Sequence, residues 1–125
     1  MMLKEFYTIE NIIEHDVQSY DVQIRLNPKH DIFKGHFPNN PVTPGVCMMQ
    51  IIKDLSEHVT GKQLFLTKSS NVKFMALINP DQNPLLNLNL SIEADEQYGL
   101  KVKNVTSFDQ TVALKLTNIY KIIIS

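Results

Sequence analysis

The chain has 125 residues, 43% hydrophobic and 20% charged, with a formal net charge of -1. That length sets an expectation of one domain with a real core, and the near-neutral balance gives no electrostatic case for nucleic acid or an anionic membrane. A single cysteine, Cys47, excludes an internal disulfide and a cysteine-based metal cluster. The sequence shows neither a basic-then-apolar leader nor an apolar run of about 20 residues, so the expectation is a cytoplasmic protein.

In chain order, Phe6 to Glu14 is β-prone, and His15-Asp16 falls at an expected turn. Val17 to Leu26 then alternates, with Tyr20, Val22, Ile24 and Leu26 on one face and Asp21, Gln23 and Arg25 on the other. The short gap predicts a hairpin. Asn27-Pro28 ends it. An irregular loop follows, in which Pro38, Pro41 and Pro44 should hold the stretch from His36 to Thr43 extended.

A helix is expected next, with Thr43 as N-cap, Pro44 in the first position and Gly45 leaving the first-turn N–H groups unobstructed. Such a helix start suits a carbonyl oxygen or an anion. From Val46 to Ile52 the pattern is apolar almost all round, interrupted only by Gln50, so the first half should be buried; after Lys53 it becomes one-sided. Gly61 is placed to cap the C-terminus. Gln63 to Thr67 and Val72 to Leu77 read as β segments joined by a bulge or bend at Ser69-Ser70-Asn71. After a loop at Asn79 to Pro84, Leu86 to Asp95 alternates with a period of two, Gln97-Tyr98-Gly99 turns the chain, and strands follow at Leu100 to Phe108 and from Thr111 to about Ile123. The pattern predicts one α+β domain, residues 1–125, with a single helix wrapped by a bent antiparallel sheet of about five to six strands.

Gly35-His36-Phe37-Pro38, then Pro41, Pro44, Gly45 and Val46, resemble the active-site segment of 3-hydroxyacyl-acyl-carrier-protein dehydratases of the hot-dog fold, the FabZ and FabA type. Ile32-Phe33, Val72-Lys73-Phe74 and Pro80 fit the same pattern. The resemblance implies a homodimer pairing its sheets edge to edge, or a larger or mixed assembly with another hot-dog chain. The substrate it implies is an acyl thioester of acyl-carrier protein or coenzyme A, in a tunnel at the interface. It places His36 as the base at C2, the Gly45 N–H as the donor to the thioester carbonyl, and Phe37, Pro38, Val46, Met49 and Phe74 along the substrate. No cofactor or metal is implied, and no nucleic acid or membrane partner.

This chain departs from the pattern at Gln50, where the family carries an acid on the helix. Glutamine can hydrogen-bond a hydroxyl but cannot deliver a proton. A missing acid partner typically costs about 10²–10⁴-fold in rate. Three functions therefore stand side by side: a (3R)-hydroxyacyl dehydratase forming trans-2-enoyl thioesters for fatty acid, polyene or polyketide synthesis; an acyl-thioester-binding or partner subunit of a dehydratase; and a thioesterase. Asp54, one helical turn beyond Gln50, is a candidate substitute carboxylate. His15, His30 and His58 are expected at the solvated surface, and Cys47 as an inert buried thiol.

Overall fold

The computed structural model describes residues 4–35, 41–95 and 99–123. The elements run β1 (Tyr7–Asp16), β2 (Ser19–Leu26), a short 3-10 turn (Asp31–Gly35), α1 (Gly45–Thr60), β3 (Gln63–Phe74), β4 (Leu85–Asp95), β5 (Gly99–Phe108) and β6 (Thr111–Ile123). All six strands form one antiparallel sheet in the order β1-β2-β4-β5-β6-β3, with β1 and β3 at its edges.

Alternation sets the inner face. Val22 and Ile24 of β2 stand opposite Leu88 and Leu86 of β4, and Leu100 of β5 stands opposite Tyr120 of β6. These side chains are buried, and Met48, Ile51, Ile52 and Leu55 of α1 fill the concavity that they line. Burying each such side chain contributes about 1.5–3 kcal/mol. The polar groups on the inner face pair with one another: Asn118 Nδ2 donates to the Tyr120 hydroxyl at 2.8 Å, and Ser69 donates to Asn118 Oδ1 at 2.6 Å.

Several local expectations shift. His15 and Asp16 lie inside β1, and the turn falls on Val17-Gln18. The segment at Asp31–Gly35, expected to be irregular, forms a 3-10 turn that sets Phe33 in stacked contact with Phe6. The two β segments after the helix are one strand, β3, whose register shifts twice, and Asn71 takes a φ of 53° at the second shift. The predicted bulge is therefore present and bends the strand without ending it. Residues Gln97 and Tyr98 of the predicted turn lie outside the described residues.

The helix is not wrapped on all sides. Cys47 and Met48 are buried, but Val46 is 61% exposed and Gln50 only half-buried, so the sheet's open edges leave one flank uncovered. Among the described residues, no helix is long and apolar enough to cross a membrane.

Ile52 is fully enclosed and Val17 is 81% exposed. In denaturant titrations, Ile52→Ala should lower stability by about 2–5 kcal/mol. Val17→Ala should stay within about 0.5 kcal/mol of the parent.

Candidate active site at the helix N-terminus

Helix α1 begins one residue later than the sequence suggests. Pro44 is the N-cap, extended at φ -62° and ψ 145°, and gives no side-chain cap. Its carbonyl accepts the N–H groups of Cys47 and Met48 at 3.0 and 3.2 Å. Thr43 is instead buried before the helix, with its N–H on the Ile78 carbonyl at 2.8 Å and its hydroxyl unpartnered among the described residues. With proline at the cap, the Gly45 and Val46 N–H groups have no partner among the described residues, and they carry the positive end of the helix dipole.

This start opens on a cavity of about 450 Å³ walled by Thr43, Gly45, Met48, Phe74, Ala76 and Ile78. Gly45 matters here for space. A Cβ at that position would lie 3.0 Å from the tip of the Phe74 ring, so any larger residue would push the ring aside. The structure thus brings Gly45 and Phe74 together at this cavity. His36, Phe37 and Pro38 lie outside the described residues.

Gln50, Val46 and Met49 face elsewhere. They line a second cavity of about 300 Å³ with Lys53, Leu66 and Tyr120. At about 100° per residue, five steps along a helix turn two side chains roughly 140° apart, so Gly45 and Gln50 cannot address one small cavity from the same chain.

Among the described residues, Gln50 is held by a side chain and not by backbone groups. Its Nε2 donates to Asp54 Oδ1 at 2.8 Å, and the Tyr7 hydroxyl donates to Asp54 Oδ2 at 3.3 Å. An ionised carboxylate only accepts, so Asp54 fixes which end of the amide faces it and leaves Gln50 Oε1 for another partner. Tyr7 was not a candidate in the sequence. Only the i, i+4 spacing of Gln50 and Asp54 hinted at the pair, and nothing local could bring β1 to it. Burial, reinforced by the Asp54 charge and hydrogen bond, pushes the Tyr7 pKa well up. Burial likewise pushes Tyr120 up to about 12, with Glu57 and Asp54 adding to the shift and the Asn118 hydrogen bond opposing it.

The other candidates fall into place as structure. Burial raises the Cys47 thiol pKa, which removes it as a nucleophile. His30 bonds the Lys4 carbonyl and packs edge-on against Phe6, while His15 pairs with Asp21. No cluster of metal-ligating side chains occurs among the described residues.

One helix lying in the palm of a bent antiparallel sheet is the hot-dog fold. Residues 12–113 match the family model described as ApeI-like, ApeI dehydratase, and the chain belongs to that family. Among named relatives it is 25% identical over 111 residues to a 3-hydroxyacyl-acyl-carrier-protein dehydratase, FabZ, of Rickettsia akari, covering 88% of this chain and 77% of that one. It is 30% identical over 90 residues to an uncharacterised thioester dehydrase of Halalkalibacterium halodurans, covering 64% of this chain and 58% of the relative.

The fold recurs in the dehydratase heterocomplex ApeI:P of Xenorhabdus doucetiae, with a TM-score of 0.66 and 23% identity over 90% of this chain and 96% of that one. It recurs again in a hypothetical thioesterase with coenzyme A from Streptococcus pneumoniae, with a TM-score of 0.69 and 12% identity over 98% of this chain and 91% of that one. The chain is thus a hot-dog protein of the ApeI-like dehydratase family.

Two outcomes test this geometry. Asp54→Ala strands the Gln50 amide and the Tyr7 hydroxyl, and should cost about 1–3 kcal/mol in denaturant titrations. Both tyrosines have pKa values raised by folding, so the stability they contribute is complete below the ordinary value near 10. It is lost as pH climbs through 10 toward about 12, and Tyr120→Phe should shrink that alkaline loss.

Proposed function

We propose that the chain takes part in dehydrating 3-hydroxyacyl thioesters, carried by acyl-carrier protein or coenzyme A, to trans-2-enoyl thioesters in the cytoplasm. The observation that carries this reading is the Gly45 helix start, whose N–H has no partner among the described residues and which opens into an apolar-walled cavity. Its volume of about 450 Å³ is within the range of small-molecule sites, about 300–1,000 Å³.

Removing a proton from C2 builds negative charge on the thioester oxygen. Fixed donors at the end of a helix stabilise that charge without reorganising. In this reading His36, nine residues before Gly45, takes the C2 proton. A neutral imidazole, ordinarily titrating near about 6.5, can do so at neutral pH. Phe37, Pro38 and Phe74 would border the acyl chain on that side, and Val46 and Met49 would border it from a second chain.

The 3-hydroxyl must leave as water, which requires one proton. Gln50 has none to give, so the proton comes from the imidazolium formed at C2 or from an acid on a second hot-dog chain. The second source fits the separation of Gly45 and Gln50 into two cavities, since a complete site then needs a neighbour across the β3 edge. It also fits the name of one fold relative, a dehydratase heterocomplex. The working unit we propose is a pair of hot-dog chains, in which this chain contributes His36 and Gly45 and its partner contributes the carboxylate. A purely acyl-binding subunit is the alternative that Gln50 favours. A thioesterase is less favoured, because Gln50 cannot activate a water molecule.

The test is enoyl formation from a 3-hydroxyacyl-carrier-protein substrate, alone and with a co-expressed hot-dog chain bearing the helix carboxylate. Product should form, fall by more than about 100-fold in His36→Ala, and rise in the homodimer on Gln50→Glu. Gly45→Ala should lower kcat/KM, and adding Phe74→Ala should restore part of it by relieving the clash. No product from any combination would sink the reading, and release of free thiol would replace it with thioester hydrolysis.

A further inference from the structure

Of the residues that line the Gly45 cavity, Thr43 alone carries a side-chain oxygen or nitrogen. The capping role that a threonine could fill here belongs to Pro44. Thr43 is pinned by its N–H to the Ile78 carbonyl at 2.8 Å and is 6% exposed. Its hydroxyl is closed to water and has no hydrogen-bond partner, a condition unique to it among the buried side-chain oxygens and nitrogens of the described residues.

Elsewhere the fold satisfies such groups. The buried Ser56 hydroxyl donates to the Ile52 carbonyl at 2.7 Å, and the buried Thr106 hydroxyl donates to Asn104 Oδ1 at 2.8 Å. A buried hydroxyl left unpaired works against folding, and valine would fill the same space without that cost. Packing therefore gives no reason for threonine at position 43. A ligand in the cavity does.

We propose that the Thr43 hydroxyl is a second donor to the acyl carbonyl oxygen that the Gly45 N–H receives. The inference rests on the dehydration reading for the identity of that carbonyl. A carbonyl oxygen has two lone pairs and accepts both bonds. Only Pro44 separates the two donors, and its ring locks the backbone between them at a φ of -62°. The Phe74 ring, 57% exposed, rests with its tip against Gly45. A carbonyl that reaches Gly45 displaces this ring tip and meets the Thr43 hydroxyl in the same step. The hydroxyl keeps its proton throughout: it steadies the charge that grows on the oxygen as C2 loses its proton, and moves none itself.

The test uses the whole chain with the co-expressed hot-dog partner, as Thr43→Val and Thr43→Ser. Thr43→Val should melt at or above the parent temperature yet lose about tenfold or more in kcat/KM, chiefly in kcat, and Thr43→Ser should recover most of the loss. A second readout needs no turnover: the infrared carbonyl band of a bound 3-hydroxyacyl-pantetheine amide, isotopically labelled at that carbonyl. Losing one hydrogen bond should move this band to higher frequency in Thr43→Val, and equally so for the amide without the 3-hydroxyl. An unchanged band in Thr43→Val overturns the inference, whatever happens to melting or rate, and leaves the dehydration reading standing. A shift confined to ligands bearing the 3-hydroxyl places Thr43 on that group and overturns it too. Failure of all combinations to form product, with the band still shifting, ends the dehydration reading but upholds Thr43 as a carbonyl donor. No binding of either amide by the parent overturns both.

Discussion

Everything in this molecule depends on the burial of one flank of α1 in the concave face of the sheet. Met48, Ile51, Ile52 and Leu55 are each essentially inaccessible to water, and so are the strand residues around them. That contact fixes where the helix starts. Because Pro44 stands at the cap, the chain enters the core with extended backbone and leaves the Gly45 N–H without a partner among the described residues, beside a cavity. A hydrophobic constraint thus positions an electrostatic one: donors that water would otherwise satisfy are held at the wall of an apolar space.

The same burial separates the cavity at Gly45 from the one at Gln50. The sheet curls far enough to cover Cys47 and Met48 but leaves Val46, Met49 and Gln50 on the open flank beside the β3 edge. One chain therefore has the Gly45 N–H on one side of its helix and the Gln50–Asp54–Tyr7 network on another. Gln50 is oriented by a carboxylate and offers an acceptor where the family has an acid. In the proposed reading this chain supplies charge stabilisation at its helix start, and a second chain supplies the proton that Gln50 cannot.

Much of the fold was legible because period-two alternation in β2 and β4 and the long apolar run of α1 are local signals. The two halves of β3 were not legible as one strand, since its two register shifts break the alternation that marks a strand. The cap was misplaced by one residue because threonine is the stronger side-chain cap, yet Thr43 is drawn into the core by its bond to Ile78. The start of the helix near Gly45 could be placed to within a residue from the Pro44-Gly45 pattern. The Tyr7–Asp54–Gln50 contact could not, as it joins residues 47 positions apart.

The most direct measurement is a crystal structure of the chain, with its completing partner, bound to a 3-hydroxyacyl-pantetheine in which an amide replaces the thioester. The account predicts the amide carbonyl oxygen at about 2.7–3.2 Å from the Gly45 nitrogen, with the His36 ring beside C2. An acyl chain seated away from the start of α1, with the Gly45 N–H bonded to water or protein instead, would contradict it.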